Sequence, residues 1–152
     1  MSENKIIYFA YGANLDIHGM DYRCPGHNAL CRGVLHNHAL VFKGVADICP
    51  SRGDLVHGAL YEISEDHLRS LDRFEGYPHL YIRKTVSVTT EDGVTIDAIA
   101  YQMTDQHRWQ SRPDLGYLNT ILSGIQSWGY PIEICRDVII ASKCKPVEME
   151  TL

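Results

Sequence analysis

The segment Ile6-Ile7-Tyr8-Phe9-Ala10-Tyr11-Gly12-Ala13-Asn14-Leu15 joins an unbroken apolar run to a glycine turn. Continuous β-prone residues without a polar alternation predict a buried strand over Ile6–Ala10. The run breaks at Tyr11-Gly12-Ala13-Asn14. Asn14 is then expected to cap a short helix from Leu15 to about Tyr22, with Asp16 in its first turn. Cys24-Pro25-Gly26 ends that helix. A glycine before a helix N-terminus lets successive N–H groups turn outward, where the helix dipole adds positive potential. Such a turn suits a small anion, for example a carboxylate, although many similar turns are purely structural. It is not a phosphate-binding loop, because the Gly-Lys-Ser/Thr ending is missing.

Moving outward, Leu30–Phe42 alternates apolar and polar residues and predicts one long strand or a bent pair. Gly53-Asp54 reads as a turn, and Val56–Ile63 as a strand interrupted by Gly58. Ser64 is a good cap for a helix running to about Glu75, stopped by Gly76 and Pro78. Tyr81–Thr90 and Val94–Met103 flank Glu91-Asp92-Gly93 as a hairpin. Two helices follow, about Asp114–Trp128 and Ile132–Lys143, separated by Gly129 and Pro131. A loose tail is expected after Lys145. With no repeat or linker, residues 1–152 read as a single α+β domain of strands with helices at the sides.

The helix starting at Ser64 carries an anomaly. At about 100° per residue, Leu68, Leu71 and Phe74 define its core-facing arc, and Arg69, Asp66 and Arg73 lie opposite. Glu75 follows Leu71 by four and Leu68 by seven, so it projects from the apolar side. It also stands in the last turn, where the helix dipole repels negative charge. Burial and dipole both push its pKa upward, towards the range useful for proton transfer near neutrality. Two plainer readings stay open: the helix ends a residue early and Glu75 swings into solvent, or Glu75 pairs with a nearby arginine such as Arg83.

Composition narrows the function classes. Hydrophobic residues make up 45% and charged residues 22%, ordinary values for a soluble domain. The net charge of -5 is spread along the chain, so no basic stripe suggests nucleic acid. No apolar stretch reaches the ~20 residues needed to span a bilayer. The polar Met1–Lys5 does not read as a signal peptide. Five cysteines, an odd number without a CxxC pair, fit reduced thiols in a cytoplasmic protein. His36 and His38 could present a metal pair on one strand face, but a third ligand is missing, and solvated imidazoles are the simpler reading. Cys24 and His27 flank a Pro-Gly turn, which disfavours a thiol nucleophile. Trp109 and Trp128 read as packing or rim residues.

In order, these segments resemble the γ-glutamylcyclotransferase superfamily, which includes AIG2-like proteins and γ-glutamylamine cyclotransferases. Tyr11-Gly12-Ala13-Asn14-Leu15 is similar to that family's Tyr-Gly-Ser-Asn-Leu. Leu71-Asp72-Arg73-Phe74-Glu75-Gly76 is similar to its Leu-Asp-x-x-Glu-Gly, and Val56-His57-Gly58-Ala59-Leu60-Tyr61 to its Val-x-Gly-x-Leu-Tyr strand. Tyr81-Ile82-Arg83 fits a Tyr-x-Arg, and Tyr101 and Tyr117 fall where later tyrosines occur. The departure is Ala13 in place of Ser, which removes a hydroxyl from the turn.

The resemblance implies a mixed β-barrel or sheet with flanking helices. It also implies release of 5-oxoproline and a free amine from a γ-glutamyl amide, without metal or cofactor. Glu75 would be the proton-transferring residue. The amides of Gly12, Ala13, Asn14 and Leu15 would hold the glutamyl head, Tyr81, Tyr101 and Tyr117 would wall the pocket and donate hydrogen bonds, and Tyr11 would be a further substrate-binding residue. Arg83 would share a face with Tyr81, as a substrate contact or in a structural ion pair. The expected partner is a small γ-glutamyl substrate, with no nucleic acid or membrane, and the chain a monomer or homodimer. A non-catalytic ligand-binding protein of the same fold is the alternative. The Thr104–Pro113 loop is expected to line the leaving-amine side.

Overall fold

The computed structural model describes residues 5–105 and 109–144. The expected loose tail after Lys145 lies outside them. Five strands close into a barrel in the order β1 (Ile6–Ala10), β3 (Ala46–Ile63), β2 (Asn28–Phe42), β4 (Tyr81–Thr90) and β5 (Thr95–Met103). Neighbours pair antiparallel except where β1 meets β5 in parallel at Tyr8↔Ile99, the seam that closes the barrel. β1 therefore has a neighbour on both edges, and the successive burial of Tyr8, Phe9 and Ala10 covers both of its faces, as its continuous apolar run requires. Phe9, Leu60, Tyr61 and Val88 lie in the resulting core, each fully buried.

Four helices pack outside: α1 (Ile17–Arg23), α2 (Glu65–Glu75), α3 (Leu115–Ser127) and α4 (Ile132–Ser142). The β4–β5 hairpin and the last two helices match their sequence signals to within a residue or two. α2 is capped by Ser64, whose hydroxyl accepts from the His67 amide while the His67 ring accepts from the Ser64 amide. It stops at Gly76, in the left-handed region at φ 72°.

Several expectations are corrected. Gly53-Asp54 is not a turn; β3 runs through it, and the reversal occurs earlier, at Lys43-Gly44-Val45. Gly53, at φ 85°, faces Asn37, at φ 60°, and its amide donates to Asn37 Oδ1 at 2.9 Å. The glycine therefore serves an irregularity inside a long hairpin, beside a register shift at His36/His38. Gly58 does not interrupt β3 either: a Cβ there would lie 2.3 Å from the Ala10 carbonyl, so the glycine lets β1 pass closely. Asn14 does not cap the first helix. Asp16 does, accepting from the Gly19 amide at 3.2 Å, and Asn14 sits within a single 3-10 turn, Ala13–Leu15. Phe74 leaves the core arc of α2 and is 48% exposed, with the Arg23 guanidinium 3.8 Å over its ring.

α3 pins the glycine turn in place. Gly124 lies so close that a Cβ would approach the Leu15 carbonyl carbon to 2.7 Å, and Trp128 Nε1 donates to the Leu15 carbonyl at 3.0 Å. No helix among the described residues is long and apolar enough to cross a membrane.

Candidate active site

The turn after β1 and the last turn of α2 face one another across a cavity of about 110 Å³. Gly12, Ala13 and Asn14 line it from the turn, Phe74 and Glu75 from α2, and Val45 and Ala46 from the β2–β3 reversal. Tyr8, Tyr11, Leu80, Tyr81, Tyr101 and Tyr117 complete the wall. All the residues expected from sequence line it except Leu15, which is fully buried behind the turn. The Leu15 amide closes onto the Gly12 carbonyl at 3.0 Å, so it is not a ligand donor. As the first residues of a helical turn, Gly12, Ala13 and Asn14 have no carbonyl behind them for their own amides. A Cβ at Gly12 would come 3.2 Å from Ala46 Cβ and 3.5 Å from the Tyr117 hydroxyl, so glycine keeps this corner open.

Glu75 ends α2 on the side facing the core, partly buried at the cavity wall. Burial pushes its carboxyl up to about 7, against an opposing pull from the Arg23 guanidinium. Its bond to the turn is weak: Asn14 Nδ2 donates to Glu75 Oε2 at 3.5 Å. The open alternatives for Glu75 are thereby resolved. It does not swing into bulk water, and Arg83 is engaged elsewhere, in a two-pronged pair with Asp72.

Asp72 anchors the C-terminal end of α2. It also accepts from the Tyr101 hydroxyl at 2.6 Å. Burial raises its pKa, but the bonds from Arg83 and Tyr101 outweigh burial and hold it below the ordinary value. One turn of helix thus carries two carboxylates in opposite states: Asp72 paired and acidic, Glu75 unpaired and proton-retaining.

The phenols around the cavity divide in two. Tyr11 donates to the Tyr101 carbonyl at 2.6 Å, Tyr81 to the Ala46 carbonyl, and Tyr101 to Asp72. Their protons are committed to the protein, so Tyr11, Tyr81 and Tyr101 are walls and not donors. Tyr117 instead accepts from the Ala46 amide at 2.9 Å, leaving its proton for the cavity, and burial pushes its pKa up to about 12. Tyr8, not singled out in the sequence, likewise accepts, from Asn14 Nδ2 at 2.9 Å. No periodicity signal could have found it, since a buried strand offers no polar face to read.

The remaining constellations stay outside the site. His36 and His38 are separated by the bulge, with the His38 ring bonded to the His36 carbonyl at 2.9 Å. No group of three or more His, Cys, Asp or Glu that could hold a metal occurs among the described residues. Cys24 is buried, with its thiol pushed up to about 11, and His27 is engaged with Asp21. Trp109 is exposed. The Thr104–Pro113 loop includes residues 106–108, which lie outside the described ones.

A proton-retaining carboxyl facing uncommitted backbone amides across a small tyrosine-walled cavity defines an acid–base pocket in a closed barrel. The chain belongs to the γ-glutamyl cyclotransferase, AIG2-like family, whose model matches residues 8–119. A human protein named γ-glutamylcyclotransferase is 31% identical, over 86% of this chain and 76% of its own length. The bovine protein of that name is also 31% identical, over 85% and 74%. A solved structure named γ-glutamyl cyclotransferase superposes with a TM-score of 0.83 at 28% identity, covering 90% of this chain and 87% of that one. An uncharacterized human protein superposes at 0.81 and 29%, covering 90% and 88%.

Proposed function

We propose that this protein is a γ-glutamylcyclotransferase that cleaves a γ-glutamyl amide to 5-oxoproline and a free amine, with Glu75 as proton carrier. The observation that carries the reading is the position of Glu75: a carboxyl held near pKa 7 by burial, across a cavity from the Gly12–Asn14 amides.

The reading gives each group its work. The amides of Gly12, Ala13 and Asn14, with the Tyr117 hydroxyl beside them, receive the α-carboxylate of the glutamyl head. Holding that end folds the substrate so that its own α-amine lies against its γ-carbonyl, replacing a bimolecular encounter by ring closure. The amine reacts in its neutral form. As its nitrogen bonds to the γ-carbon, ionised Glu75 takes a proton from it, and the carbonyl π pair moves onto oxygen. When that pair returns, the bond to the departing nitrogen breaks and Glu75 gives the proton to it. Water is neither consumed nor released.

A carboxyl of ordinary pKa would hold the amine's proton poorly. Raising it from 4.5 to about 7 makes that transfer easier by roughly 3 kcal/mol. The reading carries a cytoplasmic setting, supported by five cysteines that are all unpaired, and a single domain, supported by one continuous hydrophobic core.

The test is a panel of L-γ-glutamyl amides with amino-acid and simple-amine leaving groups, assayed for 5-oxoproline. Product must form, and Glu75→Gln must abolish it with folding intact. Free glutamate in place of 5-oxoproline would instead make the protein a hydrolase; saturable binding without turnover would make it a binding protein.

A further inference from the structure

Tyr8 holds a proton that the protein does not use. A phenol has one hydrogen to donate and two lone pairs to accept with. The Tyr8 oxygen accepts from Asn14 Nδ2 at 2.9 Å, and no acceptor for its proton is found among the described residues. The residue is 3% exposed and lines the cavity. A polar hydrogen in so dry a place calls for a partner, and the space in front of it belongs to the substrate. Tyr11, Tyr81 and Tyr101 cannot compete, because each has already donated.

Its place relative to the base is fixed by Asn14, whose Nδ2 reaches both the Tyr8 oxygen and Glu75 Oε2. The Tyr8 hydroxyl thus stands about two hydrogen bonds from the carboxylate. Tyr117, the other phenol with a free proton, lies instead beside Gly12. An α-amine delivered to Glu75 and closing a five-membered ring brings the γ-carbonyl to the same side. We infer that Tyr8 is a further catalytic residue, donating its hydrogen bond to the γ-carbonyl oxygen and holding that oxygen as it becomes an oxyanion. This rests on the cyclotransferase reading.

The electron count requires nothing else. The carbonyl π pair moves to oxygen as the C–N bond of the ring forms and returns as the bond to the leaving amine breaks. Tyr8 keeps its proton throughout. Burial, with the charge of Glu75 second, holds its pKa well above the ordinary phenol value, so it remains a neutral donor. The bond accepted from Asn14 polarises the phenol and strengthens what it donates.

Tyr8→Phe removes one oxygen and keeps the ring. Wild type and variant are compared on L-γ-glutamyl-L-alanine and L-γ-glutamyl-n-butylamine, with kcat, KM and melting temperature measured. The expected result is a kcat about 10²- to 10³-fold lower, with KM changed by less than about threefold. A phosphonamidate mimic of the tetrahedral adduct should lose affinity in the variant far more than the substrate does. Unchanged kcat, or a loss confined to KM, overturns the role. If Tyr8→Phe does not fold, a fluorinated tyrosine placed at position 8 keeps the packing and strengthens the donor. It should bind the phosphonamidate several-fold more tightly, and equal binding overturns the role. Wild-type protein that releases no 5-oxoproline from the full panel overturns the cyclotransferase reading and Tyr8 with it. An active wild type with an equally active variant overturns Tyr8 alone.

Discussion

Glu75→Gln should cost the enzyme its activity and make the fold more stable, by an amount that grows above pH 4.5 and is complete above about 7. In the folded protein the Glu75 carboxyl is raised to about 7, whereas the unfolded chain shows it at its ordinary 4.5. Below pH 4.5 both forms are protonated and the shift has no effect. Between the two values the folded state binds the extra proton, so stability falls as pH rises; above about 7 the full penalty stands. The difference between about 7 and 4.5 is 2.5, equivalent to roughly 3 kcal/mol.

Glutamine has nearly the shape of the protonated acid and no charge to desolvate, so it removes this penalty. It also removes a negative charge from the C-terminal end of α2, which acts in the same direction. For a chain of this length the gain corresponds to a melting temperature higher by roughly 6–12 °C. The measurement is urea or thermal unfolding of both proteins at pH 4 and at pH 8. Other carboxylates, such as Asp72, titrate in both proteins, so the difference between them isolates Glu75. Equal stability at pH 8, or a gain as large at pH 4 as at pH 8, would refute the claim that Glu75 is held proton-retaining by burial.

The same geometry sets the response to pH and to changes at Asn14 and Asp72. Since ionised Glu75 must accept the amine's proton, kcat/KM should fall as pH drops through about 7; Asn14→Asp, which sets a second carboxylate beside Oε2, should move that limb to higher pH, as a pH–rate profile will record. Asp72→Asn should destabilise the fold by about 2–3 kcal/mol in urea unfolding. It loosens Arg83 and Tyr101 at once, and the freed end of α2 should also lower kcat, an effect measurable at a temperature where the variant is fully folded.

Legibility followed locality. Glu75 could be read from sequence because its anomaly lies within one helix: a carboxylate in register with Leu68 and Leu71 is visible without knowing what the helix packs against. Phe74, one residue earlier, belongs to the core arc by its spacing and leaves it for a tertiary reason. Its ring is half exposed and packs under the Arg23 guanidinium of α1, a contact between elements that no helical period encodes. Asn14 had a local signal that pointed the wrong way. A cap and a buried amide look alike before the helix start is known, and Asp16, two residues on, takes the cap because the 3-10 turn comes first.

The phenols were the least legible, and the reason is general to closed barrels. Whether a tyrosine in such a wall can act on a ligand depends on whether its proton is already taken, and the acceptors that take it are set by barrel closure. Tyr11 bonds a carbonyl 90 residues away, on β5, and Tyr81 bonds one 35 residues away, at the β2–β3 reversal. Tyr8 sits in a strand that the sequence places at Ile6–Ala10, as the structure does, yet nothing in the sequence shows that its hydroxyl is left over. Residue type and periodicity are the same for a phenol that props the wall and one that faces the reaction. Only the three-dimensional pairing of donors with acceptors tells them apart, and that pairing leaves Tyr8 and Tyr117 as the hydroxyls able to meet a substrate.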